Sequence, residues 1–95
     1  GVTVYNGVDY SAVYNFNYYV NENPDIKAAF GNDDLAVLSH FVNYGMKEGR
    51  RGCEAFNVLI YREKNGDLKA AFGDDLKQYY IHYMNYGKKE GRKAA

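Results

Sequence analysis

Lys27-Ala28-Ala29-Phe30-Gly31 recurs residue for residue as Lys69-Ala70-Ala71-Phe72-Gly73, 42 positions further along the chain. The same shift lays residues 14–51 on 56–93 without a gap and gives 18 identities in 38 positions. The matches include Asn15/Asn57, Tyr19/Tyr61, Asn23/Asn65, Asp25/Asp67 and His40/His82. Asn43-Tyr44-Gly45 returns as Asn85-Tyr86-Gly87, and Lys47-Glu48-Gly49-Arg50 as Lys89-Glu90-Gly91-Arg92. Self-similarity at a fixed period is the mark of stacked supersecondary units, so the chain reads as two copies of one repeat.

Helix signals inside each copy set the fold class. Asn15 and Asn57 stand before runs suited to a helix over 16–22 and 58–64, where an asparagine oxygen accepts from free backbone N–H groups. Tyr14 with Tyr19, and Phe56 with Tyr61, have the spacing of a hydrophobic staple. Asn23 and Asn65 read as the next N-caps, with Pro24 at a first helical position that needs no N–H. Gly66 fills that slot in the second copy. Asp25 and Asp67 suit the positive end of this second helix, and Gly31 and Gly73 read as left-handed caps closing it. A third helix begins at Asp33-Asp34 and at Asp74-Asp75, its start offset by a residue between copies, and ends at Gly45 and Gly87. Leu35, Leu38, Val42 and Gly45 form its inner face, as do Leu76, Tyr80, Tyr83, Met84 and Gly87. The expected fold is all-α: a single domain over 1–95, with an extended N-terminal arm (1–13) and repeat copies at 14–52 and 53–95. The arm, with a turn at Asn6-Gly7, covers the open face of the first copy.

Composition bounds the function. Ninety-five residues make one small domain, and eleven tyrosines with no tryptophan suit a thin core whose side chains reach both interior and water. Net charge is zero, which removes the electrostatic case for nucleic acid. No segment reads as a membrane span or signal peptide, so no membrane insertion is expected. The abrupt start and repeat-like ending suggest a piece of a larger multidomain protein. Cys53 is the single cysteine, aligned with Ser11, so no internal disulfide forms and no thiol chemistry is implied.

No residues call for catalysis, a metal or a cofactor. Gly-x-Ser-x-Gly, His-Glu-x-x-His and phosphate-loop patterns are missing, and the Asp pairs lack EF-hand spacing. His40 and His82 hold one repeat position and read as hydrogen-bonded helix residues. Glu48, Arg50, Glu90 and Arg92 read as a charged tail locked onto its own repeat, each arginine pairing with Asp25 or Asp67 or stacking on a tyrosine, with an interaction surface as the alternative. Tyrosines crowd more than one helix face, so Tyr18, Tyr79, Tyr83 and Tyr86 are the candidate ligand-binding residues. An exposed phenol offers a flat face to a sugar ring and a hydroxyl to its rim.

The run Tyr19-x-x-x-Asn23-Pro24-Asp25-Ile26, then His40-Phe41-x-x-Tyr44-Gly45-x-x-Glu48-Gly49-Arg50, resembles a short tandem helical repeat of secreted and cell-surface proteins of gut Firmicutes. The opening Tyr5-Asn6-Gly7-Val8-Asp9-Tyr10-Ser11-Ala12-Val13-Tyr14 is similar to the version appended there to lysozyme-like or peptidase domains. The resemblance implies an extracellular or wall-associated accessory module and carries no catalytic residue. The expected function is non-catalytic attachment to peptidoglycan or another glycan. The alternative is a protein partner, or a spacer role without glycan affinity.

Overall fold

The computed structural model describes all residues from Gly1 to Ala95. The chain is mostly helical, with one small two-stranded sheet. The arm is a hairpin, β1 (Val4–Tyr5) paired antiparallel with β2 (Val8–Asp9), so the expectation of an all-α chain is corrected here. Asn6 and Gly7 both have positive φ (49° and 79°), as a two-residue hairpin turn of the right twist requires.

Helices α1 (Phe16–Glu22), α2 (Pro24–Phe30) and α3 (Asp34–His40) are followed by a π-helical turn (Phe41–Gly45) and α4 (Met46–Glu48). The second half runs α5 (Val58–Lys64), α6 (Gly66–Phe72), α7 (Leu76–His82) and a π-helical turn (Tyr83–Gly87). Asn15 accepts from Tyr18 N–H at 2.9 Å, and Asn57 from Leu59 and Ile60, so these caps form as their side chains predict. The staple pairs also meet, with ring centroids 5.8 Å apart for Tyr14–Tyr19 and 5.2 Å for Phe56–Tyr61.

Four expectations are corrected. Asn23 and Asn65 hold the N-cap positions of α2 and α6, but their side chains do not cap those helices. Each donates backwards to the carbonyl of Tyr19 or Tyr61 at 2.8 Å, which ties down the end of the preceding helix. Gly31 and Gly73 have positive φ but ψ near −125° and −122°, outside the left-handed helical region and open to glycine alone. The third helices start in register, at Asp34 and Leu76, so Leu35 aligns with Lys77 on the flank and is 55% exposed. The central position is Asp34 in one half, accepting from Val2 N–H at 3.0 Å, and Leu76 in the other. Finally, Gly45 does not end a helix: a π turn runs through it into α4, whereas the second π turn ends at Gly87 as expected. A Cβ on either glycine would strike the hydroxyl of Tyr19 or Tyr61.

The core is one aromatic-rich cluster, in which Tyr19, Phe41, Phe56, Tyr61, Tyr79 and Tyr80 are fully buried. A buried phenol usually finds a partner for its hydroxyl, and Tyr14, whose Oη has none, is the exception in this core. Tyr79 donates to Gly73 C=O at 2.6 Å and Tyr80 to Arg50 C=O at 2.7 Å. The halves join where α7 packs on α4. Tyr80 lies between Phe41 and Phe56 (5.9 and 5.0 Å), and Lys77 donates to Val42 C=O at 3.0 Å. Tyr5 Oη accepts from Ser39 and Asn43 at 3.3 and 3.2 Å. No helix is long and apolar enough to cross a membrane.

Candidate functional site

In each half α1 or α5 sends its buried tyrosine to the histidine that ends α3 or α7. Tyr19 Oη lies 2.9 Å from His40 Nδ1, and Tyr61 Oη 2.8 Å from His82 Nδ1. Burial raises the tyrosine pKa, pushing Tyr61 up to about 12, so the phenols stay protonated. Burial also holds His40 below the usual histidine value, and the Arg50 charge acts in the same direction. Both histidines therefore spend one ring nitrogen on the fold.

The shifted histidine makes stability depend on pH. Folded His40 resists protonation, whereas unfolded histidine takes a proton near pH ~6.5. Its contribution is present above that value and is lost as pH falls through it, because the unfolded chain then binds more protons. The melting temperature is expected to fall between pH 7 and 5.5, with a shallower slope in His40→Gln. Equal slopes in the two proteins would show that another group titrates. Asp25 and Asp67, held below the carboxylate range by hydrogen bonds from Arg50 and Arg92, respond only at lower pH.

The charged tail is a clamp in both halves. Arg50 donates both Nη groups to Asp25 (2.9 and 2.7 Å), Nε to Glu48 (2.7 Å) and Nη1 also to Asn23 Oδ1 (2.9 Å). Arg92 repeats this with Asp67, Glu90 and Asn65 at 2.6–3.2 Å. The planar fork meets a carboxylate on two points, which lysine cannot do, and so ties the tail to the start of α2 or α6.

Outside these locks each half shows an aromatic strip to solvent. In the first, Phe30 lies 5.8 Å from His40, and His40 5.7 Å from Tyr44. In the second, Phe72–His82 is 6.0 Å and His82–Tyr86 is 5.6 Å. Tyr44 and Tyr86 are each 60% exposed and stand on the π turns. An extra residue in such a turn rotates the chain, and here it sends glycine inward while the tyrosine faces out; π turns recur at functional sites.

Of the candidate tyrosines, only Tyr86 lies on a strip, and its partner Tyr44 was missed for want of a tyrosine cluster around it. Tyr79 is 0% exposed and Tyr83 8%, so Tyr79 is core and Tyr83 shows little surface, a correction to their candidacy. Both are drawn inward within their own half, Tyr79 against Phe72 of α6 and Tyr83 against Phe56 and Tyr61. Tyr18 and Tyr83 do meet, at a cavity of about 550 Å³ walled also by Tyr14 and Phe16, with polar groups from Ser11, Glu54 and Lys88. One face of Tyr18 already carries the Arg51 guanidinium, 5.5 Å from its centroid. Cys53 also lines this cavity; burial pushes its thiol up and its Sγ donates to Ala12 C=O, so it is held as a protonated thiol.

No group of three or more histidine, cysteine, aspartate or glutamate side chains lies close enough together to hold a metal ion. No protein-family model matches the chain, and neither a curated protein nor a solved structure matches it.

Proposed function

We propose that this chain is a non-catalytic glycan-binding module, made of two copies of one repeat packed into a single domain. On this reading it serves as an accessory part of a secreted or wall-associated bacterial protein, as its resemblance to the surface repeats of gut Firmicutes implies. The observation that carries the reading is the strip Phe30–His40–Tyr44 and its counterpart Phe72–His82–Tyr86. The longest unbroken identity between the copies, Lys-Ala-Ala-Phe-Gly, lies on the exposed face beside each strip, not in the core. The backbone conformation accounts for the glycine, but core packing does not demand the exposed lysine and alanines, and a surface that meets the same ligand twice would keep them.

The chemistry fits sugar. A tyrosine face stacks on the apolar side of a pyranose, and the outer nitrogen of the histidine is placed for a ring hydroxyl. The histidines are engaged with tyrosines and the carboxylates with arginines, which supports a binding role over a catalytic one.

The test is NMR titration with peptidoglycan fragments and common polysaccharide oligomers. Two equivalent sites are expected, with shifts centred on Tyr44 and Tyr86. Tyr44→Ala and Tyr86→Ala each remove one site, and because the positions are exposed, stability changes by only about 0.5 kcal/mol. Retention unchanged in the double variant would refute the strips as the site. Absence of any glycan response would put the protein-partner or spacer reading ahead.

A further inference from the structure

The glycan can be narrowed by asking which charges beside the strips are already spoken for. Asp25 and Glu48 are both held by Arg50, and Asp67 and Glu90 by Arg92. These carboxylates are turned into the tail clamp and are compensated there. The lysines kept in both copies are Lys27/Lys69 and Lys47/Lys89. Lys69 pairs with Glu63 at 3.1 Å, whereas Lys27, Lys47 and Lys89 form no ion pair. Lys27 precedes Phe30 by three residues on α2, one turn away on the same face. Lys47 and Lys89 follow Tyr44 and Tyr86 by three residues, and both are exposed.

We propose that each strip binds an anionic sugar residue, its ring stacked on Tyr44 or Tyr86 and its acid group met by Lys47 or Lys89. The ligand class is a glycan carrying carboxylates along its chain, and the chain of this protein holds two such sites. The inference rests on the glycan reading and adds the charge. Zero net charge does not oppose it: Asp25, Glu48, Asp67 and Glu90 are occupied by the arginines, and at the tyrosine end of each strip Lys47 and Lys89 are unpaired, while the unpaired Asp33 and Asp75 lie at the phenylalanine end. A lysine ammonium on a flexible stem suits an acid whose position varies with the sugar linkage, whereas the arginines are committed to fixed bidentate geometry.

The discriminating probes share one backbone and differ in charge: galacturonic and glucuronic oligosaccharides, each as the free acid and as the uncharged methyl ester. Affinity is read by NMR titration of the intact chain, with thermal melts confirming that each variant is folded. The acid form is expected to bind roughly two- to fivefold more tightly per site than the ester at low salt, the range for an exposed ion pair. That advantage should shrink at about 0.3 M salt, where screening shortens the reach of exposed charges. In Lys47→Gln/Lys89→Gln the acid form should fall to the affinity of the ester, while Tyr44→Ala/Tyr86→Ala loses both forms. An ester that binds as tightly as the acid, or a lysine double variant that binds like the parent, overturns the charge assignment and leaves the glycan reading standing. If neither form perturbs the strips, the glycan reading falls and this inference with it.

Discussion

Tyr80→Ala is expected to lower the melting temperature by about 12–40 °C, from a loss of about 3–5 kcal/mol for a large buried ring in a domain of this size. Tyr80 is fully buried where the halves meet, between Phe41 and Phe56, with its hydroxyl on Arg50 C=O. The loss is large against a total stability of about 5–15 kcal/mol. It should be felt on both sides of the seam, because neither half of about 40 residues buries enough surface alone. Amide exchange at Val37 in the first half and Leu68 in the second should therefore accelerate together, and residues 54–95 alone should show no cooperative transition. Faster exchange confined to the second half would mean that the halves are independent. Tyr80→Phe separates the ring from its hydroxyl, and should cost only about 1–3 kcal/mol for the carbonyl left unpaired.

Gly45→Ala and Gly87→Ala provide the second large effect, with a sign opposite to propensity. Alanine is preferred over glycine inside an ordinary helix by about 1 kcal/mol, so these changes look stabilising on paper. The added methyl, however, would strike the hydroxyl of Tyr19 or Tyr61. Neither ring can swing away, since both are fully buried and bonded to His40 or His82. Overpacking of this kind costs about 1–3 kcal/mol, and displacing the tyrosine–histidine bond adds about 1 kcal/mol. Urea unfolding should show a net loss of about 1–3 kcal/mol for each variant, after the propensity gain is subtracted. Tyr19→Phe in the Gly45→Ala background removes the obstructing oxygen and should recover part of the loss, a coupling that a double-mutant cycle reads directly. Additive effects would show that the glycine is required for some other reason.

What the residues alone determined is the 42-residue period, the helix spans 16–22 and 58–64, their asparagine caps and staples, and the arginine clamp. These are local patterns or pairings between charges kept twice, so spacing and side-chain chemistry suffice to read them. The third helices were legible in position but not in shape. A π turn follows from how tightly Gly45 and Gly87 must press on Tyr19 and Tyr61, and that pressure comes from residues about 26 positions away. The same dependence decided the fate of the tyrosines. Tyr79, Tyr83 and Tyr86 belong to one tyrosine-rich run, yet only Tyr86 faces water. A phenol serves equally well in a core with a hydrogen-bond outlet or on a surface as a stacking face. Its burial is set by what the neighbouring elements need to fill, and that is known only once α7 and its π turn have packed onto α5 and α6.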